Sequence, residues 1–243
     1  MFTKFRVGAM GDKVREIIED DRYDALTFEE KVKLMIDAEA EARGTRKLNR
    51  LVQRAGFADP GACVEEVIYL QDRSLNKDRV QRIALCDWYH THQNVVVVSA
   101  AGGGKSYLVQ ALGNAACRRG IGVLYTRLMD MVRDLAAARE MGAVELNERI
   151  EHYRGIPLLI IDDYMADRLP ADNATDLVEV MAGRVGRAST IVASQAEPNE
   201  WYLQVKSQNS ADTISNRTSS GAVHIVIKGP DMRKYLASRE TPL

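Results

Sequence analysis

Two regimes of hydrophobic patterning divide the chain. Up to about residue 92 the apolar positions recur at helical spacing; from residue 94 short β-branched runs alternate with longer helical stretches. Thr27-Phe28-Glu29-Glu30 has the Thr-x-x-Glu form of a capping box, and Val32, Met35 and Ile36 follow on the Phe28 face, so a helix is predicted to begin at Thr27. Gly44 is a candidate point of bending or interruption. Gly56 and the turn Asp59-Pro60-Gly61 end the helical pattern. Residues 1–70 therefore read as a small all-helical domain, and residues 76–92 as one more helix opening a second domain over 71–243. No internal repeat or long low-complexity run is found.

In the second domain strands are predicted over 95–98, 123–126, 158–161, 190–193 and 224–227, with intervening segments long enough to carry crossovers. The strands are continuously apolar rather than alternating, which implies a parallel sheet covered by helices on both faces. The fold class is α/β, with its working edge at the carboxyl ends of the strands. Directly after the first strand comes Ser99-Ala100-Ala101-Gly102-Gly103-Gly104-Lys105-Ser106. It matches the phosphate-binding pattern G-x-x-x-x-G-K-[ST] except at its first position, where Ser99 stands for Gly. Gly102, Gly103 and Gly104 let backbone N–H groups turn inward around phosphate oxygens, and the helix starting near Lys105 aims its positive dipole end at the same place. Lys105 is the candidate partner of the terminal phosphates and Ser106 of Mg²⁺. The alternative is a glycine-rich strand-to-helix turn with no ligand.

Leu158-Leu159-Ile160-Ile161-Asp162-Asp163 is an apolar strand ending in paired carboxylates, which are costly beside a core unless a cation or polar partners meet them. A nucleotide-bound Mg²⁺ supplies such a cation. Asp162 is the candidate Mg²⁺ partner, directly or through water, and Asp163 is placed to orient or deprotonate an attacking water. Either acid has the alternative of capping the next helix or facing solvent.

Charge adds one feature. The 33 Lys+Arg nearly balance 34 Asp+Glu, yet between residues 42 and 58 there is no acid, while Arg43, Arg46, Lys47, Arg50 and Arg54 fall within an arc of roughly 100° on a helical wheel. Such a stripe suits the tracking of a phosphate backbone; a solvated face balanced by Glu29, Glu30, Asp37, Glu39 and Glu41 is the alternative. The cysteines Cys63, Cys86 and Cys117 are widely spaced and read as small buried hydrophobes in a reducing compartment. His90 and His92 point apart on a helix and are read as surface or structural residues, so no protein-built metal site is proposed. The longest apolar runs fall far short of the roughly 18 residues a membrane span requires, and the early acidic residues argue against a secretory signal. A cytoplasmic protein without membrane contact is expected.

Taken in order, LTFEEKVKLMIDAEAEARGTRKLNRLVQRAGF, NVVVVSAAGGGKSYLVQALGNAACRRG, LLIIDD, STIVASQAEPNEW and HIVIKGPDMR resemble the IstB-like transposition helper ATPases of bacterial insertion sequences, AAA+ proteins close to the DnaC helicase loaders. The resemblance implies ATP and Mg²⁺ as cofactors and an ATPase that assembles as a homo-oligomer (ring, helix or filament) on double-stranded target DNA. It further implies a partner transposase to which the site is handed, with hydrolysis controlling disassembly. By the same resemblance Gln195 stands at the polar sensor position usually held by Asn, Arg217 looks like the arginine that a neighbouring subunit inserts toward the γ-phosphate, and Arg233 looks like a second phosphate-sensing arginine from a short C-terminal lid. The alternatives are that Gln195 caps a loop and that Arg217 and Arg233 are ordinary surface residues. Ser99 is expected to narrow the loop; the long Gln195 and the short Asp163 are expected to slow hydrolysis. Residues 207–220, rich in Ser, Thr and Asn, read as a loop near the DNA or the subunit joint, or as a mobile surface loop. A helicase loader is the competing function; a small-molecule kinase and a nucleotide-binding scaffold without hydrolysis are the others.

Overall fold

The computed structural model describes residue 2 and residues 4–240. Its contacts resolve into two compact units, one within residues 1–50 and one within 51–243. The first holds α1 (Gly8–Glu19), a 3-10 turn at Asp21–Tyr23 and the larger part of α2 (Phe28–Ala55). The capping box forms: the Thr27 N–H donates to Glu30 Oε2 at 2.7 Å and the Glu30 N–H to Thr27 Oγ1 at 3.3 Å. Gly44 does not interrupt the helix. A lone glycine penalises a helix by only about 1 kcal/mol, and Arg46 spans it to reach Glu39. Glu39, 5% exposed, is the polar centre of this unit. Its Oε2 accepts the N–H groups of Ala9 and Met10 at 3.1 and 3.3 Å, capping the first turn of α1, and its Oε1 accepts Arg43 and Arg46 at 2.9 and 3.0 Å. These charged hydrogen bonds hold the Glu39 carboxyl below its usual range, Arg43 contributing most. Phe28 and Ile36, which share the apolar face of this helix, are exposed.

The division falls at Arg50/Leu51 rather than near residue 70, because residues 59–63 are stapled into the second unit by polar side chains. Asn114 donates to the Pro60 and Ala62 carbonyls at 2.7 and 2.9 Å, Gln110 accepts the Asp59 N–H at 2.8 Å, and Ala55, Phe57, Ala62 and Val67 are buried. The helix expected over 76–92 is broken into α3 (Lys77–Ala84) and α4 (Asp87–His90). Cys86 turns the chain through the left-handed region at φ 62°, and Trp88 then buries and donates its indole N–H to the Ile83 carbonyl at 2.8 Å.

The rest alternates as β1 (Val95–Ser99), α5 (Lys105–Arg118), β2 (Val123–Arg127), α6 (Leu128–Met141), α7 (Ala143–Gly155), β3 (Leu158–Tyr164), α8 (Ala171–Arg184), β4 (Ser189–Ser194), α9 (Gln208–Ser219), β5 (Val223–Ile227) and α10 (Met232–Glu240). The five strands form one parallel sheet in the order β2-β3-β4-β1-β5. Val96, Val98, Leu159, Ile161 and Val192 pack with α6 to α9 in one core. On the other face Ile160 reaches Gly113 of α5 so closely that a Cβ there would clash with it and with Phe57. A layer on each side explains why these strands show no polar alternation. The expected loop over 207–220 is mostly α9. Ser207 caps it by accepting the Ser210 N–H at 3.4 Å, and Ala211, Ile214 and Thr218 recur at helical spacing on its buried side. Among the described residues no helix is long and apolar enough to cross a membrane.

Candidate nucleotide site

β1 ends at Ser99 and α5 begins at Lys105, which is buried. In the loop between them Gly102 and Gly104 adopt φ of 77° and 90°, a region that glycine enters without strain. Gly103 is required for a different reason: a Cβ there would fall on Ser99 Oγ and lie 3.2 Å from the Ala100 carbonyl oxygen. Ser99 is 3% exposed and donates to that carbonyl at 3.2 Å. The serine therefore fills the space beneath Gly103.

Two brackets hold the loop from outside. Arg73, buried, donates to the Gly103 carbonyl at 2.7 Å and to the Ile68 carbonyl at 2.5 Å. The Met232 N–H donates to the Gly102 carbonyl at 2.9 Å, while Asp231 caps α10 by accepting the Arg233 N–H at 2.9 Å. Beside the loop opens a cavity of about 380 Å³, walled by Val67, Ile68, Leu75, Met232 and Leu236, with Gly102, Gly104, Lys105 and Ser106 at its polar end and Arg233 on its rim. An apolar slot ending in a glycine-rich loop, a lysine and a hydroxyl at a helix start fits a purine base with a polyphosphate tail. Arg73, Val67, Ile68, Leu75, Met232 and Leu236 were not recognised from sequence, since only the fold brings their segments to the loop.

The paired carboxylates end β3, two places from β1 in the sheet. Asp162 is 2% exposed; its Oδ2 accepts the Tyr125 hydroxyl at 2.8 Å and its Oδ1 accepts the Asp163 N–H at 2.8 Å. Burial, with the Asp162 charge next, drives the Tyr125 phenol well above its ordinary range, so it stays a donor. Tyr125 stacks at a tilt on Phe57, 6.3 Å between centroids, and Phe57 lies against α5. This places the Asp162 carboxylate on the α5 side of the sheet. Asp163 takes the left-handed conformation, φ 49°, where the register with β4 shifts between Ile161 and Tyr164, and its Oδ2 lies 3.9 Å from Arg127 Nε. Among the described residues no three His, Cys, Asp or Glu side chains cluster as a metal cage. A cation here would be held by Asp162, the Ser106 hydroxyl and the oxygens of a phosphate ligand, a donor set that suits Mg²⁺.

Gln195 is exposed immediately after β4, the strand between β3 and β1, so its backbone emerges at the same carboxyl edge. The turn behind it is pinned by Ser194 Oγ, which accepts the Ala196 N–H at 3.2 Å and the indole N–H of buried Trp201 at 3.0 Å. Arg217 is elsewhere. It lies near the end of α9, where Asn94, just before β1, donates to its carbonyl at 3.0 Å, and it lines a separate 240 Å³ cavity with His92, Thr190 and Gly221 at the amino ends of the strands. The structure thus gathers the loop, Asp162, Asp163, Gln195 and Arg233 at one edge and leaves Arg217 at the other. Of the basic stripe, all on α2, Arg43 and Arg46 are tied to Glu39, and Lys47, Arg50 and Arg54 are exposed. His90 and His92 are exposed; Cys86 and Cys117 are buried and Cys63 half-buried.

A 5-1-4-3-2 parallel sheet with a glycine-rich loop after its first strand, paired acids near the end of its third and a short C-terminal helix over the cavity defines the P-loop AAA+ fold. Residues 2–240 match the family described as IstB-like ATP binding protein, and the chain belongs to that family. It is 31% identical over 234 residues to an insertion sequence ATP-binding protein, y4uH, of Sinorhizobium fredii, covering 96% of this chain and 93% of that protein. To the insertion sequence IS1162 ATP-binding protein of Pseudomonas fluorescens it is 29% identical over 192 residues, covering 79% and 82%. Among solved structures the fold resembles the DnaC helicase loader, with a TM-score of 0.56 at 16% identity over 69% of this chain and 97% of that one. It also resembles the replication initiator DnaA bound to AMPPCP and single-stranded DNA, with a TM-score of 0.60 at 20% identity over 77% and 58%.

Proposed function

We propose that this chain is the ATP-hydrolysing helper of an insertion sequence, a cytoplasmic protein that assembles on double-stranded target DNA and presents it to a partner transposase. Its relatives named as insertion sequence ATP-binding proteins support the setting. The observation that carries the assembly step is the position of Arg217, at the opposite strand ends from its own loop: an arginine there serves a phosphate only in a neighbouring protomer.

Bound Mg²⁺–ATP supplies the transferable phosphoryl group and the charge that must be neutralised. Lys105 would reach the terminal phosphates, Ser106 would offer its hydroxyl to the cation, and Asp162 would hold the cation directly or through water. Asp163 orients and deprotonates the attacking water, Gln195 contacts that water or the γ-phosphate, and Arg233 closes from the lid. Arg217 of the next protomer completes the site and couples nucleotide to assembly. Aligned copies of α2 then present Lys47, Arg50 and Arg54 to phosphates. A single copy makes few contacts and binds weakly in salt, so multivalency supplies affinity, with little sequence preference. Hydrolysis loosens the joint and releases DNA. The short Asp163 and the long Gln195 suit a slow timer, and a turnover rate matching fast motor ATPases would count against that part.

The test is phosphate release and DNA binding by the whole protein, with and without duplex DNA. Stimulated release, lost in Lys105→Ala together with assembly, is expected; DNA binding indifferent to nucleotide contradicts the proposal. Capture of a replicative helicase in place of a transposase would favour the loader function.

A further inference from the structure

Tyr125 sits on β2 opposite Ile160 of β3, and its hydroxyl is 2.8 Å from Asp162 Oδ2. We infer that Tyr125 is a positioning residue for the cation: its phenol fixes the rotamer of Asp162 so that the carboxylate faces the phosphate loop. The inference rests on the proposed role of Asp162 as the Mg²⁺ partner.

The physical case starts from how little else holds that carboxylate. Asp162 is 2% exposed, so bulk water does not orient it. It has one partner per oxygen, the Asp163 N–H on Oδ1 and the Tyr125 hydroxyl on Oδ2, each at 2.8 Å. A carboxylate oxygen accepts about two hydrogen bonds, so each keeps one lone pair for a cation or its water. The Asp163 N–H belongs to a strained left-handed residue next to a register shift, and alone it leaves the carboxyl plane free to turn. The phenol removes that freedom, and the phenol is itself rigid: its ring is half-buried and braced by Phe57, which lies against α5. Phe57, Tyr125 and Asp162 therefore form a chain from the helix that follows the phosphate loop to the acid that faces it. Partners one shell out from a metal ligand typically set its affinity by about 10- to 100-fold, and Tyr125 has the geometry of such a partner.

The experiment measures the Mg²⁺ concentration at half-maximal binding of a fluorescent ATP analogue by the full chain, comparing wild type, Tyr125→Phe and Asp162→Asn, with affinity in EDTA alongside. Tyr125→Phe deletes one oxygen and keeps the ring against Phe57. We expect it to bind nucleotide in EDTA as wild type does and to raise the Mg²⁺ midpoint about tenfold, with Asp162→Asn raising it further. An unchanged midpoint in Tyr125→Phe while Asp162→Asn shifts overturns the role of Tyr125 alone. Equal loss of affinity in EDTA and in Mg²⁺ also overturns it, since the hydroxyl would then serve only the fold. A midpoint unmoved in Asp162→Asn overturns the assignment of Asp162 itself, which is a different failure.

Discussion

Ser99 and Gly103 share one volume, and that sharing is the most local determinant of the phosphate loop. The general pattern leaves the position before the last glycine open, but here a side chain at 103 would collide with the serine hydroxyl. Gly103→Ala should therefore lower ATP affinity at least about tenfold, and adding Ser99→Gly should restore most of it, because coupled neighbours depart from additivity. Isothermal titration of the two singles and the double decides it; a double mutant as weak as Gly103→Ala would mean that the Ala100 carbonyl, not Ser99, is the obstacle. The cysteines give a pH-dependent readout at the same scale. Burial pushes the Cys86 and Cys117 thiols up to about 11 from the ordinary 9.0. Each is held neutral, so its stabilising contribution is complete below pH 9.0 and is lost as pH rises through about 11, where unfolded thiols ionise first. Iodoacetamide at pH 8 should label Cys63 ahead of both, as mass spectrometry of the native chain would reveal.

At the scale of elements, α2 and the end of α8 show opposite uses of arginine. On α2, Arg43 and Arg46 are engaged by buried Glu39 and serve the fold of the first unit, so a clean test of DNA binding spares them. Changing Lys47, Arg50 and Arg54 to Glu should leave nucleotide affinity intact, and should weaken duplex binding with a loss of about three in the slope of log affinity against log salt. A salt titration by fluorescence anisotropy measures this, and an unchanged slope would remove the stripe from the mechanism. At the end of α8, Arg184 is 1% exposed and has no carboxylate partner among the described residues. It donates to the Tyr153 and Ile156 carbonyls at 2.7 Å and to Thr190 Oγ1 at 2.9 Å, gathering the last turn of α7 onto β4. Arg184→Met would orphan several buried acceptors, and urea unfolding should show a loss of about 3 kcal/mol or more. Elements of this kind differ in how far the sequence discloses them. The five strands are legible because each carries a short run of apolar and β-branched residues, although Thr126 and Arg127 end β2 and His224 interrupts β5. The polar composition of α9 hides its helix, although Ala211, Ile214 and Thr218 carry the period. The break at Cys86 depends on burying Trp88, a tertiary demand that no local pattern displays.

Across the whole molecule, the parts of the site that lie in consecutive residues, Gly102 to Ser106 and Asp162-Asp163, are readable before any fold is known. Tyr125, Arg73 and the apolar wall of Val67 and Ile68 are not, because their roles come from strand adjacency and from a cavity closed by segments far apart in the chain. The same topology separates Arg217 from the loop, and that separation bears the claim that the working unit is larger than one chain. Mixing Lys105→Ala, which lacks a competent loop, with Arg217→Ala, which lacks the inserted arginine, tests it most directly. On duplex DNA each variant alone should release little phosphate, and the mixture should recover a substantial fraction of wild-type turnover, through sites built from the loop of one variant and the arginine of the other. Wild-type turnover by Arg217→Ala alone, or no recovery in a mixture whose two variants still co-assemble, would contradict it.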